Sequence, residues 1–153
     1  MRKIIPLFIL VFSSLLPAQD IPKFELGAIL GVETGLSAKY WYTPRTALDA
    51  AVAWAFGDVG MFSVHGDYLV HSNFFNFYNG DLALYTGVGS RVRISDDWFV
   101  KARIPFGTEY LFPNQPLSMF AEIVPGVEVL PETVFRLGGG IGVRVTLGKV
   151  NSR

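Results

Sequence analysis

The sequence predicts an all-β fold: a single antiparallel up-and-down eight-stranded transmembrane β-barrel with a charged, side-chain-filled lumen. Two observations predict it. Apolar and polar residues alternate with period two over eight runs, and charged and small residues share the face opposite the apolar one. The chain has 153 residues, half of them apolar, which suits one domain with its own core. A mean hydropathy of +0.36 and 14% aromatic residues exclude a disordered chain.

The first residues have the pattern of a cleaved signal peptide. Arg2 and Lys3 precede an apolar run from Ile4 to Leu16, and Pro17-Ala18 follows, so cleavage is expected after Ala18. This run is shorter than the about 20 apolar residues that a membrane-spanning helix requires. We therefore expect a signal peptide over residues 1–18, a barrel over 19–148 and a polar C-terminal tail over 149–153.

Charge and cysteine content exclude several functions. The 13 basic residues balance 13 acidic ones, so no global charge favours nucleic acid as a partner. The chain has no cysteine, which excludes disulfides, thiolate metal sites and cysteine nucleophiles. An exported chain without cysteine is typical of the bacterial periplasm or outer membrane. We expect no cofactor and no metal.

Eight runs with period-two alternation are separated by Gly, Pro, Asn and Asp, the residues that tolerate turn conformations. Each run is expected to be one strand. The runs are Phe24–Val32, Leu36–Tyr42, Thr46–Phe56, Met61–His71, Asp81–Ile94, Trp98–Phe112, Leu117–Val129 and Val134–Leu147.

The composition of the polar face favours a membrane barrel over a soluble sandwich. That face is rich in Gly and Ala, such as Ala51, Gly89 and Gly140, which a narrow lumen requires and a solvated surface does not. Its basic and acidic residues are nearly equal in number, as confined charges must be because an unpaired buried ion is costly. The predicted luminal charge network comprises Glu25, Lys39, Asp49, His65, Asp67, Arg91, Arg93, Lys101, Arg103, Glu109, Glu122, Glu128, Arg136 and Arg144.

Aromatic residues gather near the ends of the runs, as in the interfacial girdles of membrane barrels. The predicted membrane-interface aromatics are Tyr40, Tyr42, Trp54, Phe56, Phe62, Phe74, Phe75, Phe77, Tyr78, Trp98 and Tyr110.

Four stretches carry a resemblance to a known family: Gly35–Trp41, His65–His71, Leu84–Arg93 and Gly139–Arg144. In these stretches the chain resembles the small eight-stranded outer-membrane barrels, such as the transmembrane domain of OmpA and the OmpX-like proteins. It looks most like bacterial barrel families of unknown function. The resemblance implies a fold and a location in the bacterial outer membrane, and it implies no reaction.

Two features depart from that family. Its last strand usually ends in an aromatic residue, whereas Leu147 ends the last run here. An even strand number places both termini on the periplasmic side. The longest connection, Ser72 to Gly80, then lies on the periplasmic side, and the outer connections are short.

Candidate chemistry on the polar face has a structural alternative in each case. Ser63, His65 and Asp67 share a face and suggest a nucleophile with a base, but side chains two apart on a strand lie about 7 Å apart, so a hydrogen-bond network is favoured. The basic patch of Arg91, Arg93, Lys101 and Arg103 suggests an anion site or a selectivity ring. We favour instead ion pairing with Asp49, Glu109 and Glu122.

The function expected from the sequence is a non-catalytic outer-membrane barrel with a structural or envelope-associated role. The alternatives are a narrow, porin-like channel or small-solute transporter, and a soluble periplasmic barrel that binds an apolar ligand with its apolar face turned inward. The expected partners are outer-membrane lipid and the barrel-assembly machinery, with the chain a monomer. Four charged residues in the middle of their runs are expected to lie at similar depth and to form a connected network: Asp49, Arg91, Arg103 and Glu122. A double-mutant cycle on Arg91 and Glu122 would show strong coupling if these two are in contact.

Overall fold

The computed structural model describes residues 24–32, 34–54 and 61–147, and these form an all-β structure. Within them there is no helix long and apolar enough to cross a membrane. The predicted signal peptide, the polar tail and Phe56 lie outside the described residues. The strands are β1 Phe24–Gly31, β2 Thr34–Trp41, β3 Thr46–Trp54, β4 Phe62–His71, β5 Phe75–Phe77, β6 Gly80–Ile94, β7 Trp98–Arg103, β8 Phe106–Leu111, β9 Leu117–Leu130 and β10 Val134–Leu147.

The sheet closes into a barrel of eight antiparallel strand positions. Strands β1, β2, β3, β4 and β6 pair in sequence, β7 and β8 together occupy the next position, and β9 and β10 complete the sheet. Closure is made by β1 on β10, from Phe24 opposite Leu147 to Gly31 opposite Gly140. The eight predicted runs and the predicted up-and-down barrel are therefore confirmed.

The sixth predicted run is split by a proline. Pro105 has no backbone N–H to give to a ladder, and the strand is interrupted between Arg103 and Phe106. Both halves keep the same neighbours, because β7 and β8 each pair with β6 on one side and β9 on the other. The interruption leaves the alternation intact, since Arg103, Pro105 and Glu109 are all buried.

The long connection after β4 contains a strand that the sequence analysis placed in a turn. Phe75–Phe77 forms β5 and pairs with the start of β6. Tyr78 and Asn79, with φ of 51° and 66°, make the two-residue turn between them. Two successive positive φ values match the right-handed twist of a hairpin, which explains why a turn this short suffices.

The two faces of the barrel differ completely in charge. In the described strands every Asp, Glu, Lys and Arg has the register of the luminal face. The outward register carries large apolar side chains, among them Leu30 at 57% exposure and Ile141 at 60%. The soluble-barrel alternative required the apolar face to turn inward, and the structure places that face outside.

Glycines on the luminal face make room for large side chains of the neighbouring strand. A Cβ at Gly89 would overlap the carboxylate of Asp67, and one at Gly126 would overlap the aliphatic chain of Lys101. A Cβ at Gly107 would overlap the Tyr85 ring in the same way. The small residues of the polar face therefore leave the volume that the luminal ions and rings fill.

Candidate functional site: the charged lumen

The end of the barrel that carries the start of β1 and the end of β10 is called here the terminal end, and the opposite end the far end. At the terminal end a lysine and a glutamate form a fully buried ion pair. Lys39 Nζ lies 2.5 Å from Glu109 Oε2, and both side chains are 0% exposed. His71 Nε2 lies 2.8 Å from the same lysine nitrogen and 3.4 Å from the same carboxylate. These three side chains come from β2, β4 and β8, so the cluster joins three strands through the lumen.

Arg144 connects the last strand to the opposite wall. Its NH2 donates to Asp49 Oδ2 at 2.5 Å, its Nε donates to Ser37 Oγ at 3.0 Å, and its NH1 lies 3.5 Å from Glu109 Oε1. Its guanidinium also stacks 3.7 Å from the centroid of the Phe120 ring. A side chain that is 1% exposed therefore has two carboxylates, a hydroxyl and a ring around it.

The third buried cation, Arg103, lies nearer the middle of the lumen. Its Nε is 3.1 Å from Asp67 Oδ1 and its NH2 donates to Glu122 Oε1 at 3.3 Å. Tyr85 donates its hydroxyl to the other oxygen of Glu122 at 2.9 Å. Arg103 and Glu122, two of the four residues predicted to lie together at mid-lumen, are thus in contact.

Aromatic rings pack against one another at the terminal end of the lumen, tilted by 42° and 46° rather than stacked. The Trp41 ring lies 4.4 Å from His71 and 6.1 Å from Phe74, and Lys39 Nζ lies 4.2 Å from its centroid. The indole N–H donates to Glu25 Oε2 at 3.2 Å. Together with the Lys39–Glu109 pair, these rings fill this end of the lumen with buried side chains.

The polar side chains at the terminal end and in the middle of the lumen are mostly buried and contact one another, and we call them the deep network. Serine and threonine hydroxyls complete it, because Ser118 and Thr146 both donate to Glu25 Oε1 at 3.3 Å. Its charged and histidine members are Glu25, Lys39, Asp49, Asp67, His71, Arg103, Glu109, Glu122 and Arg144.

The far end of the lumen has a different charge balance. Its basic residues surround one carboxylate, Glu128, whose Oε2 lies 4.0 Å from Arg93 NH2 and 4.0 Å from Arg136 Nε. Lys101 is the cross-strand neighbour of both Arg91 and Glu128. We call this group the mouth cluster: Arg91, Arg93, Lys101, Glu128 and Arg136.

The predicted basic patch is therefore divided between two sites. Arg103 belongs to the deep network, whereas Arg91, Arg93 and Lys101 belong to the mouth cluster, away from the Asp49 and Glu109 carboxylates that Arg144 and Lys39 contact. Arg136 was predicted as a luminal charge, and its side chain is 60% exposed at the mouth. Strand tilt causes this division, because strands that are inclined to the barrel axis place their luminal residues at different depths in the lumen.

A small cavity of about 20 Å³ separates the two sites. Small residues such as Ala51, Ala53 and Gly138 form part of its wall, and His65, Arg91, Arg103 and Glu122 supply its polar lining. A cavity of this volume holds about one water molecule, and its polar lining offers that water partners.

The Ser63, His65 and Asp67 series lies on the luminal face. His65 Nε2 lies 3.7 Å from Asp67 Oδ2, and its Nδ1 lies 3.4 Å from Arg91 NH2. The imidazole therefore lies between a carboxylate and a guanidinium. Among the described residues no group of three or more His, Asp or Glu side chains is placed to hold a metal ion.

The predicted interface aromatics lie at strand ends, at two levels. Tyr40, Tyr42 and Tyr110 are at the terminal end, and the β5 hairpin there carries Phe75, Phe77 and Tyr78. Trp54 opposite Phe62, and Trp98 at the start of β7, are at the far end. Phe74 differs, because its ring packs on the luminal Trp41 rather than outward.

Two luminal rings, Trp41 and Tyr85, complete the deep network, although neither was among the predicted site residues. Both are at most 5% exposed, and both have the same register as a charged residue of their own strand: Trp41 follows Lys39 by two residues, and Tyr85 precedes Arg91 by six. Period-two alternation alone could have placed Trp41 inside.

These features define a class: a closed eight-stranded antiparallel β-barrel with an ion-paired lumen. The fold is similar to that of the N-terminal β-barrel domain of Pseudomonas aeruginosa OprF, with a TM-score of 0.63 and 16% identity over 83% of this chain and 98% of that domain. The resemblance to small eight-stranded outer-membrane barrels is thus confirmed for the fold. No family model and no curated protein matches the sequence.

Proposed function

We propose that this protein is a monomeric, non-catalytic barrel of the bacterial outer membrane, with a structural or envelope-associated role and a lumen that does not conduct. The observation that carries the proposal is the charge distribution of the strands. Charged side chains have the luminal register throughout the described strands, and the outward face presents apolar ones. Such a face is stable against hydrocarbon and would be exposed to water at great cost in a soluble protein.

The filling of the lumen supports a non-conducting barrel. Lys39 pairs with Glu109, and Arg144 with Asp49, between strands that are not neighbours in the sheet, and all four side chains are at most 5% exposed. Arg103 is a further buried cation, and it pairs along the wall with Asp67 and Glu122. An ion would have to break these pairs to pass, and breaking a buried pair costs about 3–5 kcal/mol.

Closure of the sheet supports the monomer. Since β1 pairs with β10, the barrel has no free edge at that seam through which another sheet could add. The proposal includes export by the predicted signal peptide, insertion by the barrel-assembly machinery and periplasmic termini. It also includes contact of the outward face with outer-membrane lipid.

Cell fractionation tests the location. The protein should be found in the outer-membrane fraction, require detergent for extraction, and migrate differently on gels before and after boiling. Recovery in the soluble periplasmic fraction without detergent would contradict the proposal.

Planar-bilayer recording tests the closed lumen and separates it from the channel alternative. The wild-type protein should give no conductance steps. The double variant Lys39→Ala/Glu109→Ala, which removes both partners of the fully buried pair, should conduct. Arg45→Ala, an exposed change at the same end, is the control and should behave as wild type. Conductance steps given by the wild-type protein would support the channel.

A further inference from the structure

We propose that the mouth cluster binds an anionic phosphoryl group, a site that goes beyond the structural role proposed above. The residues that would contact the ligand are Arg93 and Arg136, with Lys101 and Arg91 below them.

The first argument is the charge balance along the barrel axis. The mouth cluster holds four basic side chains and one carboxylate, Glu128, whereas the deep network holds more carboxylates than cations. In the deep network Glu25, Asp49, Asp67, Glu109 and Glu122 accompany Lys39, Arg103 and Arg144. The excess of positive charge in the lumen is therefore confined to its far end, where an external anion can reach it.

The second argument is the geometry of the two arginines. Both lie 4.0 Å from the same oxygen of Glu128, so their guanidinium nitrogens are no further apart than twice that distance. These contacts are longer than the 2.5 Å ion pairs Lys39–Glu109 and Arg144–Asp49. One carboxylate shared by two guanidinium groups leaves donor capacity for a second anion, and the planar fork of arginine matches phosphate oxygens.

The third argument is that both arginines are accessible and that Arg93 is also held in place. Their side chains are 28% exposed for Arg93 and 60% for Arg136. The Arg93 guanidinium stacks 4.1 Å from the Phe99 ring centroid, which restrains it without using its outward donors. Binding through Arg93 therefore costs less side-chain entropy than binding through a free surface arginine.

Lys101 forms the base of the site. It is 8% exposed, and its aliphatic chain crosses Gly126, where a Cβ would overlap it. The cavity below has room for about one water, so a phosphoryl group binds above it, at the mouth. Lys101 adds a fixed positive charge beneath the ligand.

Other carboxylates at this end do not cancel the field inside the mouth. Asp96 and Asp97 in the turn after β6, and Glu132 in the turn after β9, are exposed to water. Water and salt screen exposed charges over about 8–10 Å, whereas a low-dielectric wall focuses the field of luminal ones.

The experiment is a titration of the barrel, folded in an uncharged detergent at low salt, with pyrophosphate by isothermal calorimetry. Arg136→Gln should weaken binding about tenfold, the loss of one charge-assisted contact. The matched control is Arg45→Gln, an equal change of charge at an exposed residue of the terminal end, which should leave affinity unchanged. Equal loss in both variants, or no binding by the wild type, would overturn the site.

A gain of affinity gives a sharper test. Glu128→Gln removes the carboxylate that Arg93 and Arg136 share, and should tighten pyrophosphate binding severalfold. Each variant is first checked for its gel shift on boiling, so that only folded protein is compared. Unchanged or weaker binding by folded Glu128→Gln would contradict the site.

A second arm identifies the source of the phosphoryl group. The same proteins are tested for retention of phosphatidic acid in mixed micelles, with phosphatidylcholine as the control lipid. Retention that is lost in Arg136→Gln, without binding of pyrophosphate, assigns the site to a lipid headgroup, and the reverse result assigns it to a soluble phosphate. Failure of both arms would overturn the proposal while leaving the proposed structural role untouched.

Discussion

Arg144 on β10 donates to Asp49 on β3 at 2.5 Å, so the last strand contacts a strand on the opposite wall that lies 95 residues away in sequence. Both side chains are at most 5% exposed. The β1–β10 seam closes the barrel through backbone hydrogen bonds, and this ion pair adds a contact across the lumen. It is long-range contacts of this kind that make the barrel one cooperative unit.

Loss of Arg144 should destabilise the barrel strongly. Arg144→Met leaves Asp49 and Glu109 buried with one cation fewer, and should lower the free energy of unfolding by about 3–5 kcal/mol. Urea unfolding in lipid vesicles measures it. Adding Asp49→Asn to the same chain should restore part of the loss, because one of the uncompensated charges is then absent. If the two substitutions instead lower the stability additively, so that Asp49→Asn costs as much in Arg144→Met as it does in the wild type, the pairing is contradicted.

Arg103 and Glu122 should be energetically coupled. Their 3.3 Å contact predicts that a double-mutant cycle with Arg103→Met and Glu122→Gln gives an interaction energy of about 1–3 kcal/mol. The matched cycle pairs Glu122→Gln with Arg45→Gln, at an exposed site in the turn before β3, and should be additive within about 0.5 kcal/mol. Equal coupling in the two cycles would mean that the assay does not report on this contact.

Depth should decide the cost of a charge on the outward face. Ile141 lies near the middle of β10 at 60% exposure, and Leu147 ends that strand at 48%. Ile141→Arg should cost about 2–4 kcal/mol and Leu147→Arg about 0–1 kcal/mol, because only the first places arginine at the bilayer midplane. Folding yields and urea unfolding in vesicles give both values. Two equal and small costs would mean that the outward face does not meet hydrocarbon.

The luminal glycines should differ in their tolerance of a methyl group. A Cβ at Gly142 would overlap the Phe120 ring, whereas one at Gly138 would have its nearest neighbour, Val124 O, at 3.6 Å. Gly142→Ala should therefore destabilise by about 1–3 kcal/mol through overpacking. Gly138→Ala should change stability by less than about 0.5 kcal/mol. A reversed order would show that the Phe120 ring has room to move.

Alternation was enough to predict the strands. A period of two, with breaks at Gly, Pro, Asn and Asp, is a local property of the chain, so runs such as Val134–Leu147 match β10 closely. The same rule places Lys39 and Arg144 inside, because residues at every second position of a strand lie on the same face. Two local features escaped it: the interruption at Pro105 and the β5 hairpin, whose turn depends on positive φ at Tyr78 and Asn79.

Partners across the lumen could not be predicted in this way. The alternation shows that Glu122 faces inward, but several cations share that face. The contact of Glu122 with Arg103 depends on strand tilt and on how far each side chain reaches. The division of one basic patch into a buried part and an exposed mouth has the same origin. The sequence by itself determined which side chains face the lumen, because facing is set by local backbone pleat. Only the tertiary structure decided at what depth they lie and which charges meet, because closure of the sheet brings together residues far apart in the chain.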